Sequence, residues 1–229
     1  MHNRQPVTPK LLWKSLRDFD LWPLYILGLT FQIPMNPPNQ YLTLSLRGLG
    51  FDTFQANLLA IPWTVLHIIF LLALTYSAEI FGELTFHAML GQIWVIPFLI
   101  WLTVAEVAGA NKWHAAHPIQ VGWNSRNSNT VRSRTVSAAT YNMFVQASSV
   151  ISANIYRKDD APNYPRGNKA LLGIAVGNVG LYLLTKAYYV WRNKSRSARW
   201  DAMTKEQKME YLETTTDEGN RRLDFRFVH

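Results

Sequence analysis

The sequence predicts an all-α fold, a polytopic membrane helix bundle, on three observations. Uncharged runs recur along the chain at lengths that match the ~20 residues needed to cross a bilayer. Inside several of them the amide and hydroxyl side chains keep to one helical face. The basic residues, which set a formal net charge of +8, fall between and outside the runs, as the loop charges of membrane proteins do. Five clear spans follow, at about residues 21–46, 58–76, 84–105, 135–156 and 170–191. A cytoplasmic lead-in, residues 1–20, precedes this transmembrane bundle of residues 21–192, and a cytoplasmic tail, residues 193–229, follows it.

Composition excludes several other classes. A net charge of +8 would suit a nucleic-acid partner, but 9 Trp, 10 Tyr and 11 Phe beside long uncharged runs point to lipid instead. The absence of cysteine removes disulfides and thiolate metal sites. Mean hydropathy is −0.06, low for a membrane protein, because the polar ends and loops dilute the runs. A length of 229 residues suits one domain, or one half of something larger.

Residues 1–20 carry Arg4, Lys10, Lys14 and Arg17 and no apolar core, so they do not read as a signal peptide. Leu11, Leu12, Trp13 and Leu16 suit either a short interfacial helix or a plain linker. The first span, 21–46, holds Pro23, Pro34, Pro37 and Pro38, so a helix there must break. Gln32, Asn36, Asn39 and Gln40 share one face, and two readings stand. Residues 36–40 are an ordinary loop after a short helix, or a discontinuous helix offers amides and freed carbonyls to a solute.

Residues 58–76 form the most apolar span, with Pro62 near its start and His67 alone inside; a structural hydrogen bond for His67 is favoured over a proton relay. Residues 78–83 make a tight turn. The third span has Gln92 and His87 as its polar points, with Trp94 and Trp101 as interfacial anchors around Pro97. From Ala108 to Gly122 no run is long enough to cross. His114 and His117 stand at i, i+3 there, but the other histidines are scattered, so no metal site and no cofactor are expected.

The stretch that organises the chain is a polar, basic run ending at Arg134, followed by residues 135–156 without a charge. Asn142, Gln146 and Ser149 fall at i, i+4, i+7 along it. Lipid would leave those groups desolvated without partners, so this face should look toward protein or water. After a Pro- and Gly-containing loop, the last span carries Gly173, Gly177 and Gly180 as a small-residue packing face, with Asn178 beside it. Lys186 is placed to snorkel, Tyr188, Tyr189 and Trp191 to form an interfacial belt, and Arg192, Lys194, Arg196 and Arg199 to mark a cytoplasmic side. In the tail, Thr204 with Gln207 signals a capping box and a short helix to about Leu212; beyond it, residues 214–229 read as disordered or loosely docked.

The residues Gly122-Trp-Asn-Ser-Arg-Asn-Ser-Asn-Thr-Val-Arg-Ser-Arg-Thr-Val-Ser-Ala-Ala, Tyr141-Asn-Met-Phe-Val-Gln and Ser152-Ala-Asn-Ile-Tyr-Arg closely resemble fungal anion:cation symporters of the major facilitator superfamily, the allantoate permease-like carriers. The stretches Leu183-Leu-Thr-Lys-Ala-Tyr-Tyr-Val-Trp-Arg-Asn-Lys and Gly219-Asn-Arg-Arg-Leu-Asp-Phe-Arg-Phe are similar to the same group. The resemblance reaches the C-terminal six-helix half only, with one helix lost between Glu106 and Gly122, where the family has its tenth. It also lacks the superfamily's Asp-Arg turn, since residues 78–83 hold no Arg. It implies a non-enzymatic, proton-coupled carrier of small organic anions or vitamins that works by alternating access. It also implies a lipid bilayer as surroundings, the plasma membrane as location and a missing N-terminal half as partner.

Loop charge gives an independent test. With six passes, both termini are cytoplasmic and eleven basic side chains face inward against six outward; with five passes, eight face inward against nine. The positive-inside rule prefers the former. On this fold the solute-facing groups are Gln32 and Asn36 on the broken first helix and Asn142 and Gln146 on the organising helix. Amides suit a carboxylate or ureide because they offer donors and acceptors without fixed charge. A chain that needs its partner half, or does not transport, is the alternative.

Overall fold

Pro34 decides where the first helix stops. A computed structural model describes residues 13, 16–37, 50–104, 127, 131–160, 164–217 and 219–229. Helix α1 (Trp22–Thr30) follows a 3-10 turn, Phe19–Leu21, that the Asp18 side chain caps through Asp20 N at 3.2 Å. Pro23 sits in the first turn, where a missing N–H costs nothing. Four residues after Thr30, Pro34 has no N–H for the Thr30 carbonyl, and the chain passes into tight turns. The second part of the first predicted span, with Asn39 and Gln40, lies outside the described residues.

Helix α2 (Thr53–Phe81) opens on a capping box formed by Asp52 and Gln55. Asp52 Oδ1 accepts from Gln55 N at 2.7 Å and Gln55 Oε1 accepts from Asp52 N at 3.2 Å. It closes on Gly82, whose φ of 65° is the left-handed conformation that glycine adopts without strain. Helices α3 (Leu84–Val104), α4 (Val131–Ala153), α5 (Pro165–Asp201) and α6 (Lys205–Thr214) follow. The capping box of Thr204 and Gln207 opens α6 as expected from the sequence. Every described regular element is helical. The helix α5 is long and apolar enough to cross a membrane, while Val65–Phe81 and Leu84–Pro97 are apolar over shorter lengths.

Two apolar clusters show how the chain runs. One holds Leu21, Leu24, Tyr25, Leu27, Leu84, Ala88, Tyr141, Tyr182 and Tyr189; the other holds Ile33, Met35, Val95, Leu99, Leu171 and Ala175. Helix α1 therefore leaves the first cluster for the second. Helix α2 returns to the first, where Ala78 is buried, and α3 leaves it again. Helix α4 also runs from the first cluster, through Tyr141 and Val145, toward Ile155 and Tyr156 at the second, and α5 comes back. So α3 and α4 point the same way, and Val104 and Asn127 lie at opposite ends of the bundle. His114 and His117, between them, lie outside the described residues.

Helices α1 and α4, and α3 and α5, are the closest pairs. Gly28 permits the first of these contacts, because a Cβ there would stand 2.6 Å from the Tyr141 ring. By contrast Gly173, Gly177 and Gly180 face open space, which corrects the expectation of a small-residue packing face. The face of α5 that packs instead carries Leu171, Ala175, Asn178, Tyr182, Thr185 and Tyr189. Periodicity found both faces and could not say which one meets protein. Helix α2 leaves Leu58, Ile61, Val65, Ile69 and Leu72 about half exposed, an apolar strip that water would not favour.

Candidate functional site

The break after α1 leaves two carbonyls without helical donors, and two side-chain amides supply them. Thr30 O would bond residue 34 in a helix, which is proline. It accepts instead from Asn178 Nδ2 of α5 at 3.1 Å and from Ile33 N at 3.3 Å. Phe31 O accepts from Gln92 Nε2 of α3 at 2.9 Å. The freed carbonyls expected to face a solute are thus taken by Gln92 and Asn178, both almost fully buried. A buried carbonyl left unpaired costs about 1–3 kcal/mol, so these amides help to hold the break.

The four residues chosen from the sequence divide into two pairs. Asn36, half-buried beyond the break, donates from Nδ2 to Ser149 Oγ of α4 at 3.1 Å, joining the broken helix to the polar face of the organising one. Gln32 is half-buried, and its Oε1 is buried without a hydrogen-bond partner among the described residues. Asn142 and Gln146 are exposed. Helix α4 packs instead through Val136, Ser137, Thr140, Tyr141, Val145, Ser148 and Ser152, which leaves its amide face on an open flank.

At the other end of the bundle lies a charged cluster that the sequence reading did not anticipate. Asp20, buried at the entry to α1, receives Arg192 Nε at 3.0 Å, Arg192 Nη2 at 3.2 Å and Arg196 Nη2 at 3.1 Å. The Tyr188 hydroxyl donates to the same carboxylate, and the Tyr189 hydroxyl to the Asp20 carbonyl at 2.9 Å. Tyr188 and Tyr189 therefore turn inward rather than forming the expected belt; of the three aromatics, Trp191 is exposed. Asp20 raises the pKa of Arg192 by hydrogen bonding to it, whereas burial outweighs Asp20 at Arg196 and lowers its value. Lys186 Nζ pairs with Glu83 Oε2, at the turn between α2 and α3, and lies 4.0 Å from the centre of the Phe86 ring. An acidic residue at the mouth of the first run, opposite a basic cluster after the last, was the available signal.

The other polar points are held within the bundle. His87 bridges the Ser77 hydroxyl at 2.9 Å and the Glu83 carbonyl at 2.5 Å. Among the described residues no three His, Asp or Glu side chains gather as a metal site would need.

Two proteins of Saccharomyces cerevisiae (strain ATCC 204508 / S288c) are similar to this chain. "Uncharacterized transporter YIL166C" is 42% identical over 241 residues, an alignment covering 100% of this chain and 44% of that protein. "Putative uncharacterized transporter YOL162W" is 46% identical over 215 residues, covering 89% of this chain and 100% of that protein. The chain belongs to their family. It spans less than half the length of the first relative and the whole of the second. No family model and no solved structure matches it.

Proposed function

We propose that the chain is the C-terminal part of a transmembrane carrier for small organic anions, of the carboxylate or ureide class, driven by a proton gradient. The observation that carries this reading is the union of a broken helix with an amide-bearing one through Asn36 and Ser149, while Asn142 and Gln146 stand open on the adjoining flank. Discontinuous helices of this kind build solute sites in many carriers. Amide donors can hold an anion without the desolvation cost of a buried cation.

Six passes of a lipid bilayer, the five spans read from the sequence among them, with both termini cytoplasmic in the plasma membrane, complete the proposal. The shared direction of α3 and α4 supports six-pass ancestry. So does the gathering of Asp20, Glu83 and Asn127 at the same end as the basic run Arg192 to Arg199, the end that the positive-inside rule makes cytoplasmic. Transport names attached to both relatives support the class. The test is uptake of labelled allantoate and a series of small carboxylates by cells making the chain. Asn142→Ala with Gln146→Ala should lower uptake at least about tenfold, since each removes donors that only the solute would meet. Full uptake by the double variant would overturn the site assignment.

A second reading rests on the exposure of Asn142 and Gln146: the chain is a fragment that transports only when a first half covers the amide face. Co-production of an N-terminal half separates the two. Uptake appearing only then supports the second reading; none in either case would sink both.

A further inference from the structure

Residues 219–229, expected to be disordered or loosely docked, occupy a cleft where three helix ends meet. Helix α6 turns the chain back along α5, and its Tyr211 hydroxyl accepts from Leu223 N at 2.9 Å. Phe227 is 2% exposed, its ring stacked on Tyr189 at 4.9 Å and lying 4.7 Å from the Arg196 guanidinium. Two asparagines grip the main chain on either side. Asn193 donates to Phe227 O at 2.7 Å and accepts from Phe227 N at 2.8 Å; Asn127 does the same with Val228 at 3.1 and 2.8 Å. Arg196 Nη1 reaches Asn220 O at 2.6 Å, while its Nη2 holds Asp20.

The segment is thereby tied to the entry of α1 through Arg196 and Asp20, to the approach to α4 through Asn127, and to the end of α5 through Asn193. We propose that residues 219–229 form a strap, an intramolecular peptide ligand in a main-chain-reading cleft, and that its release loosens the end of the bundle where α1, α4 and α5 converge. The paired amides recognise extended backbone, whatever the side chain, and the Phe227 ring fixes the register. The contacts holding the strap are of the same order as the conformational entropy lost on ordering it, which makes docking reversible.

The chain has no cysteine, so Val228→Cys in the full chain, in membranes, is a unique thiol whose labelling rate reports undocking. Asn127→Ala and Asn193→Ala, each losing two hydrogen bonds, should each speed labelling about tenfold. Asp159→Asn, exposed at the opposite end of the bundle, should leave the rate unchanged. Deletion of residues 219–229 should speed amide hydrogen exchange over residues 136–141. Equal labelling with and without Asn127→Ala or Asn193→Ala would overturn the docking. Unchanged exchange over residues 136–141 after deletion of 219–229 would overturn the strap. Asn193→Ala and the deletion stand as tests should Asn127→Ala fail to fold.

Discussion

Asp20 and Arg196 are each nearly buried, with side-chain exposures of 7% and 6%. Two charges taken out of water are tolerated only because they meet; removing one strands the other, at about 3–5 kcal/mol. Asp20→Asn should destabilise the folded chain by that amount in denaturation followed by circular dichroism in detergent. Arg192, at 36% exposure, is screened by solvent, and Arg192→Ala should cost about 1 kcal/mol or less. Equal losses for the two variants would show that burial is not what makes Asp20 matter. The charges themselves are plain in the sequence. Their pairing is not, because 172 and 176 residues separate the partners.

For the elements, the break in α1 offers a test of cause. Pro34 withholds an N–H from Thr30 O, and Asn178 replaces it. In the native background Asn178→Ala should cost about 1–3 kcal/mol, the cost of a buried carbonyl losing its donor. In a Pro34→Ala background the backbone can supply that donor, so the cost of Asn178→Ala should fall by about half or more. A double-mutant cycle on thermal unfolding measures this directly, and a coupling near zero would show that the amide serves another purpose. The break was legible from proline alone, as was the capping box of α6 from Thr204 and Gln207. Gln92 and Asn178 were visible as polar points inside apolar runs, but nothing local tells which carbonyl, 61 or 148 residues away, they serve.

At the scale of the molecule, the directions of the helices place Phe81 and Met209 at one end and Asp159 at the other. All three are exposed, and with no native cysteine each can be replaced by a single thiol. Impermeant labelling of sealed vesicles should modify Phe81→Cys and Met209→Cys from one face and Asp159→Cys from the opposite face. Labelling of all three from one face would remove the spanning arrangement.

The sequence by itself determined the helical class, a break within the proline-bearing first run, the cap at Thr204 and the polar face of Asn142, Gln146 and Ser149. Each of these is encoded within a turn or two, by periodicity or by a missing N–H. Only the tertiary structure decided that Gly173, Gly177 and Gly180 stay open, that Tyr188 and Tyr189 turn inward to Asp20, that Lys186 meets Glu83, and that the C-terminal segment is gripped by Asn127 and Asn193. Periodicity sorts residues onto faces; which face meets which neighbour depends on shape and charge brought together from distant parts of the chain.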